Sequence, residues 1–196
     1  MRDEEHGFTL LEMLTVIAIV GMIAATAVPS WMTLRRRAAV RSAAGEIRTI
    51  FHETRARAIA QANHSGLRFT RNGSQWQFAA YDDGDADGVR NDDIASRVDR
   101  CVTPPRHLFN QPQLVSIGLL PQEIRDPDGD RLRPTDTPIQ FGRSAICSFS
   151  PMGSSTSGTI YLTDDGGSLY AVRVYGATAK IRLLRYEPAL RRWESR

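Results

Sequence analysis

The chain has 196 residues, 41% of them hydrophobic and 24% charged, and its formal net charge is +3. This length suits one anchored domain of ordinary size or a small domain with an additional helix, and the weak positive charge identifies no partner. Two cysteines are too few to be the framework of the fold, and the four histidines show no metal-ligand spacing. A disulfide scaffold and a histidine metal centre are therefore excluded.

The first predicted element is a long apolar helix. From Phe8 to Leu34 the only ionisable side chain is Glu12, and about 20 mainly apolar residues are enough to cross a membrane as a helix. We therefore expect residues 8–34 to form the membrane-spanning half of a helix. A removable signal peptide is the alternative, but it would have a basic leader and an apolar core of roughly 7–15 residues. Here residues 1–7 are acidic on balance.

A short polar leader, the sequence GFTLLE and an apolar stretch follow one another directly. The residues concerned are Gly7, Phe8, Thr9, Leu10, Leu11 and Glu12, with Pro29 further along the apolar run. This combination resembles the N-terminus of type IV pilins and pseudopilins. The resemblance implies that a prepilin peptidase cuts between Gly7 and Phe8, which removes residues 1–7 as a leader, and that Phe8 is then N-methylated. A small glycine before the cut lets a protease approach the backbone closely.

Glu12 is the candidate assembly residue. A carboxylate inside a membrane segment is costly, and such a residue is a functional candidate by default. The resemblance implies that Glu12 neutralises the Phe8 amine of a neighbouring subunit, so that charge pairing sets the register of packed helices. It also implies that Pro29 bends the helix, because a backbone hydrogen bond is lost there. The alternative for Glu12 is an acid that the helix dipole favours and that extends toward the lipid headgroups.

The charges that flank the apolar run disagree with the resemblance over orientation. Arg35, Arg36, Arg37 and Arg41 follow the run and only Arg2 precedes it, so the positive-inside rule places the C-terminal domain in the cytoplasm. The resemblance implies the opposite: a single-pass protein of the bacterial inner membrane with its C-terminal domain in the periplasm. We follow the resemblance because its motif is more specific than a charge count. The first three of these arginines are interpreted as a cluster that faces lipid headgroups.

Helical spacing continues beyond the membrane half. Residues 35–64 are expected to form an amphipathic half whose apolar side packs on a domain. The apolar positions are Val40, Ala43, Ala44, Ile47, Ile50, Phe51, Thr54, Ala58 and Ala62. The sequence NHSG at Asn63–Gly66 predicts the end of the helix.

From residue 67 onward the pattern changes to short strands. Alternating residues around Asn72-Gly73 predict one hairpin, and TDDGGS between two alternating runs predicts a second. Residues Asp99–Pro138 are rich in proline and polar residues and predict a long irregular excursion. We expect an α+β fold, in which the long N-terminal helix packs on an antiparallel, β-rich domain of residues 67–196, as in pilins.

The C-terminal strands contain a second group of motif residues. They are Phe149, Ser150, Pro151, Gly153, Gly158, Thr159, Ile160, Leu162, Thr163 and Asp164. This block resembles the GspH/FimT branch of the pseudopilins, in which an F-S-P-x-G turn precedes a GTIYLTD strand. The final motif departs from that branch, because Ala179–Arg182 stands where GRVR is expected.

One acidic loop has the spacing of a calcium site. Its candidate ligands are Asp83, Asp85, Asp87, Asn91 and Asp93. The first three alternate before Gly88 as at the start of a calcium-binding loop, and oxygen ligands at alternate positions suit a hard cation. Ile94 stands where a bidentate Glu is expected. The two interpretations are a Ca²⁺ site and a solvated acidic turn after a strand, and no other cofactor is required.

The two cysteines are candidates for one disulfide. Cys101 and Cys147 lie in the part that is expected in the periplasm, and a bond between them would close a loop of about 47 residues. Such a bond stabilises by a few kcal/mol in the chain-entropy model. Both cysteines equally suit burial as small apolar residues.

The basic C-terminal segment indicates a second kind of function. Its candidate DNA-binding residues are Lys180, Arg182, Arg185, Arg191 and Arg192. A basic surface with interleaved aromatic residues can contact phosphates, and the FimT side of the resemblance implies DNA capture during uptake. The alternative is an exposed edge strand that charges protect from pairing.

The leading hypothesis is a GspH-like minor pseudopilin that is assembled into the periplasmic pseudopilus of a type II secretion system. The resemblance implies as partners other pseudopilins or pilins through the N-terminal helices, the prepilin peptidase, the inner-membrane assembly platform and exported proteins. The second hypothesis is a FimT-like minor pilin with DNA as partner, and the third is a single-pass membrane protein with an unrelated exported β-domain. No serine or histidine forms a catalytic set, so we expect no enzyme.

Overall fold

A computed structural model describes residues 9–73, 75–109, 114–164 and 166–195, and for residues 26–30 it describes the helical backbone alone. The helices are α1 (Leu10–Gln61) and α2 (Asn91–Ser96). The strands are β1 (Ser65–Asn72), β2 (Gln75–Asp82), β3 (Arg100–His107), β4 (Ser116–Ile117), β5 (Ile124–Arg125), β6 (Arg131–Leu132), β7 (Ile139–Gln140), β8 (Ile146–Phe149), β9 (Gly158–Thr163), β10 (Leu169–Tyr175), β11 (Lys180–Glu187) and β12 (Arg192–Ser195).

Helix α1 joins both predicted halves in one helix of 52 residues. Thr9 is its N-cap, and Thr9 Oγ1 accepts the N–H of Glu12 at 3.2 Å, which satisfies one of the free N–H groups of the first turn. The helix ends at Gln61, slightly before the predicted limit, because Ala62 adopts the left-handed conformation with φ 50°. The side chain of Pro29 lies outside the described residues, so the bend there stays a prediction.

The two halves of α1 differ in what they contact. The large apolar side chains of the first half are exposed, for example Leu10 (83%) and Ile17 (70%). Eight of the nine residues of the predicted apolar face are buried, namely Val40, Ala43, Ala44, Ile47, Ile50, Phe51, Thr54 and Ala58. The prediction is wrong for Ala62, which is exposed because the helix has already ended there. The predicted span of residues 8–34 includes residue 8 and the side chains of 26–30, which are not described. Among the described residues, no helix contains an apolar stretch long enough to cross a membrane.

The strands form two antiparallel sheets and a small hairpin. Sheet A has the order β3-β2-β1-β8, and sheet B has the order β12-β11-β10-β9-β4, with β7 also paired to β9. Strands β5 and β6 pair only with each other in the described part of the chain. Helix α1 contacts β1 and β8 of sheet A and β9, β10 and β11 of sheet B. The predicted α+β class, with a long N-terminal helix packed on antiparallel sheets, is confirmed.

The main core lies where α1 meets both sheets. Phe51 is fully buried there, and its ring centroid lies 6.1 Å from that of Phe69, 5.8 Å from that of Phe141 and 6.2 Å from that of Phe149. These separations fall in the favourable range for aromatic pairs. A second apolar cluster covers the opposite face of sheet B, where the β5-β6 hairpin packs. Both faces of sheet B are therefore buried along its centre.

Two strand predictions need correction. The first hairpin forms, but Asn72 pairs with Gln75 and is the last residue of β1, so it does not lie in the turn. The predicted irregular excursion contains β3, which pairs with β2 along the edge of sheet A. Strand β3 includes Pro104 and Pro105, which are tolerated because an edge strand has one side free of ladder hydrogen bonds.

The Cys101–Cys147 disulfide is not formed in this structure. Both thiols are free, with Cys101 exposed and Cys147 buried. Cys101 lies on β3 and Cys147 on β8, the two outer strands of sheet A. Three strand spacings separate them, about 14 Å, whereas disulfide Cα atoms lie no more than about 7 Å apart. The order of the strands thus excludes the bond and favours the alternative for Cys147, burial as a small apolar residue.

Candidate functional site

Glu12 lies in the first turn of the exposed half of α1. Its N–H is held by Thr9 Oγ1, and its carbonyl accepts a hydrogen bond from Thr15 Oγ1 at 2.8 Å. Thr9 and Glu12 have the spacing of a capping box, a signal in the sequence that would have predicted the start of the helix. The carboxylate therefore stands at the beginning of a helix whose surrounding apolar side chains are exposed.

The predicted processing residues Gly7 and Phe8 lie outside the described residues, so the cleavage and the methylation stay predictions from the sequence. Leu10 is the first helical residue, and the expected cut therefore precedes the helix. Thr9 is extended, with φ −76° and ψ 150°, as an N-cap residue usually is.

The acidic loop brings three of its five candidate ligands together. Carboxylate oxygens of Asp83, Asp85 and Asp87 lie within 4.8 Å of one another. Asp83 is buried, and its carboxylate accepts the N–H groups of Asp85 at 3.0 Å, Ala86 at 2.9 Å and Gly88 at 2.7 Å. Burial alone would raise the pKa of Asp83, but these N–H donors hold that pKa below its ordinary value. Hydrogen bonds from the loop's own N–H groups to the Asp83 carboxylate thus hold the conformation of the loop.

The other two candidate ligands, Asn91 and Asp93, lie in the short helix α2, and the carboxylate of Asp93 is not part of this cluster. Asn91 Nδ2 donates to the carbonyl of Ser144 at 3.2 Å. Within the cluster, Asp87 is already neutralised by an ion pair with Arg90. Desolvation and the neighbouring carboxylates raise the pKa of Asp85 above its ordinary value, which a cation would relieve. The donor set fits calcium only in part, and Ca²⁺ binding stays a prediction.

The basic residues of the C-terminal segment do not form one patch. Lys180 pairs with Tyr175 at one end of β11, and Arg192 pairs with Glu187 at the other end, about 24 Å away at the usual rise of a strand. Arg185 lies 3.6 Å from a carboxylate oxygen of Glu187. Arg182 lies near the Lys180 end of β11, with its guanidinium 5.8 Å from the centre of the Tyr175 ring. Arg191 lies near the other end, between β11 and β12.

Comparison with known protein families gives one match, at the N-terminus. Residues 2–28 match the family model described as the prokaryotic N-terminal methylation motif. The chain carries the N-methylation motif of type IV pilin-like proteins. No curated protein and no solved structure matches the chain.

The N-methylation motif agrees with the geometry of α1. It implies processing by a prepilin peptidase and assembly with other pilin-like subunits, and it indicates anchoring in a membrane by the N-terminal helix. The motif covers the exposed half of α1, including Glu12, and ends before the half that packs on the sheets. The chain is thus divided into a segment for assembly and a folded domain that the same helix supports.

Proposed function

We propose that the protein is a GspH-like minor pseudopilin, a structural component of a type II secretion pseudopilus, and not an enzyme. The observation that carries the proposal is the N-methylation motif on a helix whose first half exposes its apolar side chains while its second half is built into the domain. In this proposal α1 is inserted in the inner membrane, the leader is removed after Gly7, and the β-domain stands in the periplasm. Assembly then helps to drive exported proteins outward.

Assembly of this kind follows from the chemistry of the first half of α1. Apolar surface gains about 25 cal/mol per Å² when it leaves water, so side-by-side packing of these helices stabilises a filament once they leave the lipid. A buried carboxylate costs free energy unless it is paired. Glu12 therefore requires a cationic partner inside the filament, and the amine of Phe8 on a neighbouring subunit is the proposed one.

The C-terminal motif residues support the GspH-like assignment through the backbone. Gly153 ends the F-S-P-x-G turn with φ 86°, a conformation that favours glycine. At Gly158 an added Cβ would lie 2.3 Å from the carbonyl oxygen of Gln140. Strand β9, which begins at Gly158, is buried along its whole length. Two glycines of the motif therefore stand at positions where this backbone disfavours any other residue. A fold shared with the GspH/FimT branch would explain why the motif has glycine there.

The FimT-like alternative has less support, because its basic residues are spread over both ends of β11. DNA titration of the full chain in detergent tests it. Replacement of Arg191 and Arg192 by alanine would reduce a salt-dependent affinity under the alternative, and absent or salt-independent binding would remove it.

The proposal is tested by mass spectrometry of the N-terminus in cells with an active prepilin peptidase. We expect a chain that begins at N-methylated Phe8, and an intact Met1 would refute every pilin-like hypothesis. Glu12→Gln should still be cleaved but should be lost from filaments, because the amide keeps the shape and removes the charge. Glu46→Gln is the matched control, an exposed acid on the packed half of α1 that should assemble normally. Loss of protein secretion on deletion separates the pseudopilus from a pilus.

A further inference from the structure

Arg185 lies in the second half of β11 and borders a groove between this strand and α1. Together with Arg37 and Arg41 of α1 it lines a groove of about 510 Å³. The remaining lining residues are Leu34, Ala38, Ser42, Ser168 and Tyr170. None of the described residues that line the groove is acidic. The fold has therefore brought three guanidinium groups together from positions that are far apart in the sequence.

The positive charge in this groove is weakly compensated. Arg37 and Arg41 are four residues apart on one face of the helix, where like charges repel. Neither makes an ion pair with another residue in the described part of the chain. Arg185 does have carboxylates near it: Glu187 at 3.6 Å, a long contact between partly exposed groups that stabilises little, and Glu194, which lies opposite it on β12. An anion in the groove would relieve the repulsion.

The groove lies directly after the exposed apolar half of α1. Leu34, 62% exposed, is one of its lining residues, and Trp31, 69% exposed, precedes it by about one turn. Tryptophan is enriched at membrane–water interfaces. At 1.5 Å per residue, Arg37 and Arg41 follow Trp31 by about 9 and 15 Å along the helix. Long arginine side chains at these distances beyond Trp31 reach the headgroup layer of the membrane.

We propose that this groove binds the phosphodiester of an anionic phospholipid headgroup in the leaflet from which α1 emerges. The inference rests on the proposed membrane-anchored function. Guanidinium groups bind phosphate oxygens in a bidentate manner, Ser42 and Ser168 add hydroxyl donors, and Leu34 meets the start of the acyl chains. The bound lipid holds the β-domain against the membrane surface before the subunit enters a filament.

Native mass spectrometry of the full chain in a maltoside detergent tests the inference, with phosphatidylglycerol and phosphatidylcholine as probes. We expect one bound phosphatidylglycerol and much weaker binding of phosphatidylcholine. Arg37→Gln with Arg41→Gln should weaken phosphatidylglycerol binding at least about tenfold, because the loss of even one charge-assisted hydrogen bond to the phosphate costs about that factor. Equal thermal melting of variant and parent shows that the fold is intact.

The matched control is Arg35→Gln with Arg36→Gln, which removes the same charge from the same stretch of α1. Arg35 lines an adjoining groove with Glu46, which shares Ala38 and Ser42 with the proposed site but contains neither Arg37 nor Arg185. Arg36 lines neither groove. The control should change phosphatidylglycerol binding less than threefold. Equal losses in both variants would overturn the inference, since they would indicate general attraction to the basic segment.

Two further probes distinguish the sources of a phosphate group. Displacement of the lipid by millimolar inorganic phosphate would assign the groove to free phosphate and overturn the inference. Tighter binding of a 12-nucleotide single-stranded DNA, lost in the groove variant, would assign it to nucleic acid and also overturn it. The same spectra report whether the chain begins at methylated Phe8. When the protein comes from cells with an active prepilin peptidase, an unmethylated chain that still binds phosphatidylglycerol would therefore refute the pseudopilin proposal alone.

Discussion

The ion pair between Arg57 and Asp82 fastens the C-terminal half of α1 to β2. Arg57 Nε donates to Asp82 Oδ1 at 2.9 Å, and Arg57 Nη2 donates to Asp82 Oδ2 at 2.8 Å. Ser65 Oγ also donates to Oδ1, at 2.7 Å. A bidentate, charge-assisted contact of this kind is among the stronger side-chain interactions.

The strength of the pair follows from its exposure. Hydrogen bonds to charged groups contribute about 1.5–3 kcal/mol, but the Arg57 side chain is 39% exposed and that of Asp82 15%, so solvent screens the pair in part. We expect a coupling free energy of about 1–2 kcal/mol from a double-mutant cycle of Arg57→Gln and Asp82→Asn. The assay is urea denaturation of the full chain in a non-ionic detergent, followed by tryptophan fluorescence. The more exposed pair of Arg192 and Glu194 is the control, with a coupling below about 0.5 kcal/mol.

The coupling should depend on pH in one direction. Burial alone would raise the pKa of Asp82, but the hydrogen bonds from Arg57 and Ser65 and the charge of Arg100 hold that pKa below its ordinary value. The contribution is then fully present above the unfolded pKa, near 3.9, and is lost as the pH falls through the lower pKa of the folded state. A coupling at pH 7 no larger than that of the control pair, or one that persists below the folded pKa, would refute this reasoning.

Three further predictions concern the helix end, the core and the thiols. Ala62→Gly should raise the free energy of unfolding by about 1 kcal/mol, because φ 50° suits glycine. Ala60→Gly in the preceding turn should lower the free energy of unfolding by about 1 kcal/mol, and equal signs for the two variants in urea denaturation would contradict the reasoning. Phe51→Ala should lower the free energy of unfolding by about 3–5 kcal/mol. A loss below 1 kcal/mol would argue against the aromatic core. Cys101 should react with a maleimide in the native state, because it is exposed. Cys147 should react only after unfolding, because it is buried and burial raises the pKa of its thiol. Mass spectrometry of the labelled peptides checks this.

Features that depend on neighbouring residues were readable from the sequence. The GFTLLE motif, the apolar face of residues 40–58 and both hairpins are set by spacing along a single helix or across a single turn. The same local rules predicted the α+β class, because a helix with one apolar face must pack against another layer. The capping pair of Thr9 and Glu12 is a local signal of the same kind.

Features that depend on which strands pair with each other could not be predicted from the sequence. Residues 100–107 form a strand in spite of two prolines because β2 supplies a partner and the other edge stays unpaired. The thiols of Cys101 and Cys147 are kept apart by the order of sheet A. Asn91 begins helix α2, and its side-chain amide donates to the carbonyl of Ser144, a contact that spans more than 50 residues of sequence.

The sequence by itself determined that the chain has an N-methylation motif, a long helix with two unlike halves and a β-rich domain, because each is encoded by residues close together in the chain. Only the tertiary structure decided how the charges are grouped. It spread the basic C-terminal residues along β11, and it placed Arg185 beside Arg37 and Arg41, more than 140 positions earlier. The physical reason is that packing α1 on sheet B chooses which side chains share a groove, and no local pattern contains that choice.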